Sequence, residues 1–198
     1  MNKLIIATKN KGKMKDFEVL FSKYGIEVSS LLDLDESIPD IEETGDTFEE
    51  NAAIKAEAIA ASFGIPVLAD DSGLMVDALE GRPGVYSARY AGIEKDDVAN
   101  YEKLLSELTD VPDSERTARF VCVLALAQPN HATLLKRGTC EGRIGLNSEG
   151  TNGFGYDPIF IPNGYDQTMA QLTAEEKNQI SHRKNAIVQL EDWLKQQI

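Results

Sequence analysis

The chain is poor in the residues from which metal and redox sites are commonly made: 198 residues carry two histidines, two cysteines and one tryptophan. Cys122 and Cys140 have no CxxC partner, and His131 and His182 stand at no ligand spacing, which argues against a zinc site. Both cysteines lie in apolar, strand-like segments and are expected to be buried free thiols. Positive charge is also short, with 20 Lys and Arg against 33 Asp and Glu, a formal charge of −13. That balance excludes general attraction to nucleic-acid backbone, whose protein footprints are basic, and adhesion to an anionic membrane surface. No apolar run approaches the roughly 20 residues of a membrane helix. The first apolar run, Leu4–Ala7, is too short for a secretory signal, so a cytoplasmic location is expected.

What is present is an ordinary globular balance, 42% hydrophobic and 27% charged, which excludes wholesale disorder. The length fits a single domain over residues 1–198, or two tightly joined lobes. Such a chain buries about 70% of its unfolded surface and needs no metal or disulfide simply to fold. There is no internal repeat, low-complexity tract or linker.

The hydrophobic pattern predicts strands and helices in alternation. Lys3–Thr8 reads as a strand. Lys11–Tyr24 reads as a helix, with Met14, Phe17, Leu20, Phe21 and Tyr24 at helical spacing and Gly25 as its stop. Ile26–Leu32 predicts a second strand, followed by an acidic loop containing Pro39. Thr47-Phe48-Glu49-Glu50 is a capping box opening a helix to about Phe63. Pro66–Ala69 reads as a buried strand that ends in Asp70-Asp71-Ser72-Gly73. Asp97–Leu108 predicts a helix, and Thr117–Ala127 and Thr133–Gly142 a strand pair. A glycine-rich loop, Gly142–Asp157, leads to a short strand at Pro158–Ile161. A second capping box at Thr173 starts a helix carrying Lys177, and Ser181–Gln197 predicts a final helix. The alternation implies an α/β fold with a mixed sheet.

Charge is uneven along the chain. Residues 1–23 carry a net +4 and residues 24–57 a net −10. A basic opening beside an acidic stretch suits either an anionic ligand held with a metal or simply solvated surface. Five segments sharpen the first alternative. Thr8-Lys9-Asn10-Lys11-Gly12-Lys13 joins a strand to a helix, where backbone N–H groups and the helix dipole favour phosphate. It lacks P-loop spacing. Glu42-Glu43-Thr44-Gly45, before a helix bearing Glu49, Glu50 and Lys55, offers either oxygen ligands for Mg²⁺ or favourable helix-start charge. Asp70-Asp71-Ser72 follows an apolar run, where carboxylates are costly unless paired, hydrated or metal-bound. Alternation along a strand points the two aspartates to opposite faces, so one can serve the ligand while the other braces the structure. Gly153-Phe154-Gly155-Tyr156-Asp157 either presents an aromatic ring to a base or packs its rings inward. Ser181-His182-Arg183 places basic side chains at a helix start, against the dipole, where an acceptor partner such as a purine 6-oxo group would suit them.

Taken in order, these segments resemble the inosine triphosphate pyrophosphatase family, also called XTP/dITP diphosphatases. The resemblance rests on Thr8-x-Asn10-x-x-Lys13, Glu43-Thr44-Gly45, Phe48-x-Glu50-Asn51 and Ala69-Asp70-Asp71-Ser72-Gly73-Leu74. It continues through Gly81-x-Pro83-Gly84-Val85-Tyr86-Ser87-Ala88-Arg89-Tyr90, Phe154-Gly155-Tyr156-Asp157-Pro158 and Ser181-His182-Arg183. It implies an elongated two-lobed α/β fold around a long mixed sheet, with the nucleotide in the cleft, and a homodimer. The implied activity is hydrolysis of ITP, dITP and XTP to monophosphate and pyrophosphate with Mg²⁺. Carried onto this sequence, Thr8, Lys9, Asn10, Lys11, Gly12 and Lys13 hold phosphates with help from Lys55. Asp71 is the proton acceptor and a metal ligand, joined by Glu42 or Glu43, and Ser72 contacts substrate. Phe154, Gly155, Tyr156, Asp157, Lys177, His182 and Arg183 form the base and sugar end. Two rivals are a Maf-type pyrophosphatase acting on other nucleotides and a nucleotide-sensing module without catalysis. The ordered Ser-His-Arg and Phe-Gly-Tyr-Asp segments weigh against the first, and the Asp70-Asp71 pair with its glutamates against the second. A phosphotransferase would lack its phosphate-binding motifs.

Overall fold

The computed structural model describes residues 3–33, 41–191, 193 and 195. The acidic loop expected around Pro39 lies outside these residues. Six strands form one mixed sheet: β1 (Lys3–Ile6), β2 (Glu27–Ser30), β3 (Val67–Val76), β4 (Thr117–Ala127), β5 (Leu134–Ile144) and β6 (Phe160–Pro162), in the order β2-β1-β3-β4-β5-β6. β1 runs parallel to both β2 and β3, with Ile5 opposite Val67, and β5 is antiparallel to β6. Helices among the described residues include α1 (Lys11–Ser22), α2 (Phe48–Phe63), α3 (Asp97–Glu107), α4 (Ala174–Ile180) and α5 (His182–Val188). The expected α/β class and mixed sheet are therefore observed.

Local chemistry explains the helices that carry site residues. Asn10 caps α1, its Oδ1 accepting from the amides of Gly12 and Lys13 at 2.9 and 3.1 Å. Met14, Phe17, Leu20 and Phe21 give α1 one buried face. At α2 the capping box is complete, with Thr47 and Glu50 each bonding the other's backbone, and Gly64 ends the helix in the left-handed conformation. Thr173 and Glu176 repeat the device at α4.

The chain divides into two compact units. The first comprises Met1–Asp71, Cys122–Gly138 and Arg183–Ile198. Its core gathers Ile6, Phe17, Phe21, Leu68, Leu124 and Ile187. The second comprises Ser72–Val121 and Thr139–His182, around Leu74, Leu104, Phe120, Ile144, Ile159 and Phe160. β3 and β4 each contribute to both cores. β4 is buried almost without interruption, the pattern of a strand covered on both faces. Cys122 and Cys140 are buried free thiols, as expected, and burial first, then Glu141 and Asp157, pushes the Cys140 thiol up to about 12.

Three elements differ from their sequence reading. β3 does not stop at Ala69 but continues to Val76, so Asp70, Asp71, Ser72 and Gly73 lie inside a strand. The final helix is interrupted by a turn at residues 189–190, and the described residues beyond it, 191, 193 and 195, are helical again. β6 begins at Phe160, because Pro158 has no amide to donate to a ladder and the Ile159 amide is taken by the Tyr156 carbonyl at 3.1 Å.

Gly142 tests the β5–β6 edge. A Cβ there would meet the Phe160 ring at 2.6 Å and crowd the Ile161 carbonyl. Gly142→Ala is expected to cost about 2–3 kcal/mol, the penalty of a strained insertion into packed structure. Thermal unfolding would show a lowered Tm, and an unchanged Tm would contradict the β5–β6 register.

Candidate active site

In the first unit, the site is built where β1, α1, α2 and β3 place polar side chains around the middle of β3. Asp70 is 1% exposed. Its Oδ2 receives Lys13 Nζ at 2.8 Å. Burial opposes the Asp70 charge, but Lys13, Arg183 and Lys55 outweigh it and hold the carboxyl far below the ordinary carboxylate range. Arg183, 2% exposed, also donates from Nη1 to Asp16 Oδ2 on α1 at 3.2 Å.

Asp71, the next residue on β3, faces the opposite way and is 6% exposed. Burial raises its pKa, Glu43 and Asp70 push in the same direction, and Lys13 and Lys55 compensate only in part, leaving it at about 6. Lys55 pairs with Glu43 and donates to the Asp70 backbone carbonyl at 3.0 Å. Despite burial, Asp70, Glu43 and Asp71 raise the Lys55 pKa, so its ammonium stays charged. Glu43 is half-buried beside this cluster, whereas Glu42 is exposed. The loop that carries Glu43 is tied to α2, because Gly45 N donates to Oδ1 of fully buried Asn51 at 2.7 Å.

The turn preceding α1 is partly committed already. Thr8, nearly buried, accepts from Asn10 N at 3.1 Å, and Asn10 takes the amides of Gly12 and Lys13. Its exposed cations are Lys9 and Lys11. Free backbone N–H groups, expected there from the strand-to-helix turn, are thus fewer than the sequence suggested.

The second unit carries Ser72, half-buried on β3, and a separate cluster. Asp157 Oδ2 accepts Lys177 Nζ at 2.8 Å and Phe154 N at 3.0 Å, and the same ammonium lies 4.9 Å from the centre of the Phe154 ring. Lys177 and Asp157 are both buried, and Phe154 is half-buried. Tyr156 turns inward, 4% exposed, and its hydroxyl donates to the Ser87 carbonyl at 2.7 Å. Of the two aromatics in this turn, Phe154 therefore offers a ring face and Tyr156 braces the core. His182 stacks on Phe120 with centroids 4.9 Å apart and planes at 16°.

Three contributors escaped the sequence reading. Asp16 is an isolated acid among lysines, and its partner Arg183 lies 167 residues away in sequence. Phe120 is hidden in an apolar run that reads only as strand. Asp97, whose carboxylate accepts Gly155 N at 2.7 Å, is 58 residues away and left no signal.

No group of three or more His, Cys, Asp or Glu poised to hold a metal occurs among the described residues. Glu43 and Asp71 nevertheless fit Mg²⁺, which is commonly bound by one or two carboxylates together with substrate phosphates and water. The unfavourable company that raises Asp71 is also the kind that a cation relieves.

Two expectations follow. Asp71 has a folded pKa of about 6 against 3.8 when unfolded, so its ionisation costs stability as pH rises through that interval. Without divalent metal, Asp71→Asn should stabilise the protein by up to about 3 kcal/mol above pH 7 and lose that advantage below pH 4. Melting curves at pH 4 and pH 8 in chelator check this, and equal Tm differences at both would contradict it. Conversely, Lys13→Ala strips Asp70 of its direct ion pair and should destabilise by about 3 kcal/mol, with Asp70→Asn restoring part of the loss.

Comparisons with known proteins identify the family. The Ham1 family model matches residues 4–193. A dITP/XTP pyrophosphatase of Oceanobacillus iheyensis is 64% identical over 194 residues, covering 98% of each chain. One from Listeria monocytogenes is 58% identical over 96% of this chain and 94% of its own. Among solved structures, the Ham1 protein of Staphylococcus aureus is 48% identical with a TM-score of 0.87, and that of Coxiella burnetii 43% identical with 0.88; each match covers 99% of this chain and all of the other. With matched sequence and fold along nearly its whole length, the chain belongs to the Ham1 family.

Proposed function

We propose that the protein hydrolyses ITP, dITP and XTP to the monophosphate and pyrophosphate, removing them from the nucleotide pool. The observation that carries this reading is the convergence of Lys13, Lys55, Glu43 and Asp71 around a buried Asp70. The names of its relatives support the substrate class. The homodimeric state and cytoplasmic location implied by the resemblance belong to the same proposal. Among the described residues no helix is long and apolar enough to cross a membrane.

Lys13 and Lys55, with Thr8, Lys9, Asn10, Lys11 and Gly12, take the triphosphate. Asp71 receives the proton of the water that attacks the α-phosphorus, and the bond to the bridging oxygen of the leaving pyrophosphate breaks. Without metal, burial holds the Asp71 pKa up at about 6, which leaves it mostly ionised at neutral pH and available as an acceptor. Glu43 and Asp71 would hold Mg²⁺, which supplies charge neutralisation on the phosphate oxygens when bound. Glu43 is preferred over Glu42, because it faces Lys55 and Asp71 while Glu42 is exposed. Ser72 contacts the substrate beside Asp71.

Phe154 stacks on the base, Lys177 and Asp157 fix that ring and the turn around it, and His182 and Arg183 read the 6-oxo group. A buried donor facing adenine's 6-amino group is left unpaired, which costs more than a missing apolar contact.

Pyrophosphate release from ITP and Mg²⁺ is the decisive measurement. Asp71→Asn should lower kcat by at least about 100-fold while nucleotide still binds, in line with loss of a general base. Near-wild-type turnover in that variant would remove Asp71 from its role. Equal kcat/KM for ITP and ATP would reject the selectivity, and preference for a pyrimidine nucleotide would favour a Maf-type activity.

A further inference from the structure

The turn Phe154–Asp157 contains one residue with positive φ, Gly155 at +61°, and directly follows another, Gly153 at +79°. Such a segment is conformationally permissive and takes one shape only if its groups are tied. Each of its four residues has a tie. Phe154 N and the Lys177 ammonium both reach the Asp157 carboxylate, and the Tyr156 hydroxyl reaches the Ser87 carbonyl. The remaining tie comes from another element: the Asp97 carboxylate, in the first turn of α3, accepts Gly155 N at 2.7 Å.

Asp97 is not needed to cap its own helix. Asp96 does that, accepting from Val98 N and Ala99 N at 2.9 and 3.1 Å. α3 is itself held in place by buried Asn100, whose amide donates to Ala88 O and accepts from Ala91 N. The carboxylate therefore extends from a fixed helix to the backbone amide of Gly155, in a different element. A charge-assisted bond of this kind is short and directional.

We propose that Asp97 is a positioning residue for nucleotide recognition: it fixes the Gly155 peptide and thereby the orientation in which Phe154 meets the base. This rests on the assignment of Phe154 to the base-binding end. Asp97 touches neither the substrate nor the reacting atoms. Its loss affects binding of the nucleotide and leaves the chemistry at Asp71 intact.

The test compares Asp97→Ala with Asp97→Asn. Asparagine keeps an acceptor oxygen for Gly155 N but loses the charge at the helix start, whereas alanine loses both. Steady-state kinetics with ITP should show KM raised roughly three- to tenfold in Asp97→Ala, with kcat within twofold and KM near wild type in Asp97→Asn. A purely helix-stabilising role would lower the Tm of both variants and move neither KM. An Asp97→Ala KM within twofold of wild type, or a fall in kcat matching the rise in KM, overturns the inference. Hydrogen exchange of the Gly155 amide, in protein without nucleotide, keeps the two readings separable. It should quicken about tenfold in Asp97→Ala and little in Asp97→Asn. Unaltered exchange in Asp97→Ala overturns the tie itself, whereas wild-type protein that releases no pyrophosphate from ITP sinks the functional reading instead.

Discussion

The ion pair between Lys13 and Asp70 is the constraint around which the first unit is arranged. A carboxylate that is 1% exposed in the middle of a strand is tolerated only when cations and donors compensate it. Lys13 stands in the first turn of α1, so meeting that requirement fixes the start of the helix against β3. The Asn10 cap fixes the same turn from the other side. The order of the Thr8–Lys13 segment and the charge state of Asp70 are thus two results of one contact.

Asp71 is the complement of this arrangement. It shares the strand and the burial but faces Glu43 as well as the lysines, and the cations nearest Asp70 compensate it less. One member of the pair is locked as an anion by the protein. The other keeps a pKa where a proton can be gained and lost near neutrality. Two adjacent identical residues acquire different chemistry because strand alternation gives them different neighbours.

Much of this was legible in the sequence, and the reason is local. The capping boxes at Thr47 and Thr173, the apolar face of α1 and the strand-to-helix turn at Thr8–Lys13 depend on residues within a few positions of one another. The ordered motifs identified the family for the same reason. The course of β3 was not legible. Asp-Asp-Ser-Gly is turn chemistry when taken alone, and only neighbouring strands and distant cations make it an acceptable strand interior. Tyr156 and Phe154 were equivalent in sequence, and they separate because a carbonyl at Ser87 satisfies one hydroxyl in the core. Asp16, Phe120 and Asp97 act across long sequence separations, which no spacing rule reaches.

The charge balance of the first unit supports a cation arriving with the substrate. Lys13, Lys55 and Arg183 stand against Asp16, Glu43, Asp70 and Asp71, and ion pairs already join Lys13 to Asp70, Lys55 to Glu43 and Arg183 to Asp16. A triphosphate drawing on Lys13 or Lys55 alone would leave a buried or half-buried carboxylate less compensated, a costly exchange in a low-dielectric setting. The exposed Lys9 and Lys11 add attraction, but solvent screens it. A divalent ion held by Glu43 and Asp71 would resolve both sides at once. It would offset the incoming anion without withdrawing Lys13 from Asp70, and would lower the cost of keeping Asp71 ionised. In a chain of net charge −13, it is the fixed cations gathered beside Glu43 and Asp71, with a mobile one added, that would make a polyanionic substrate acceptable.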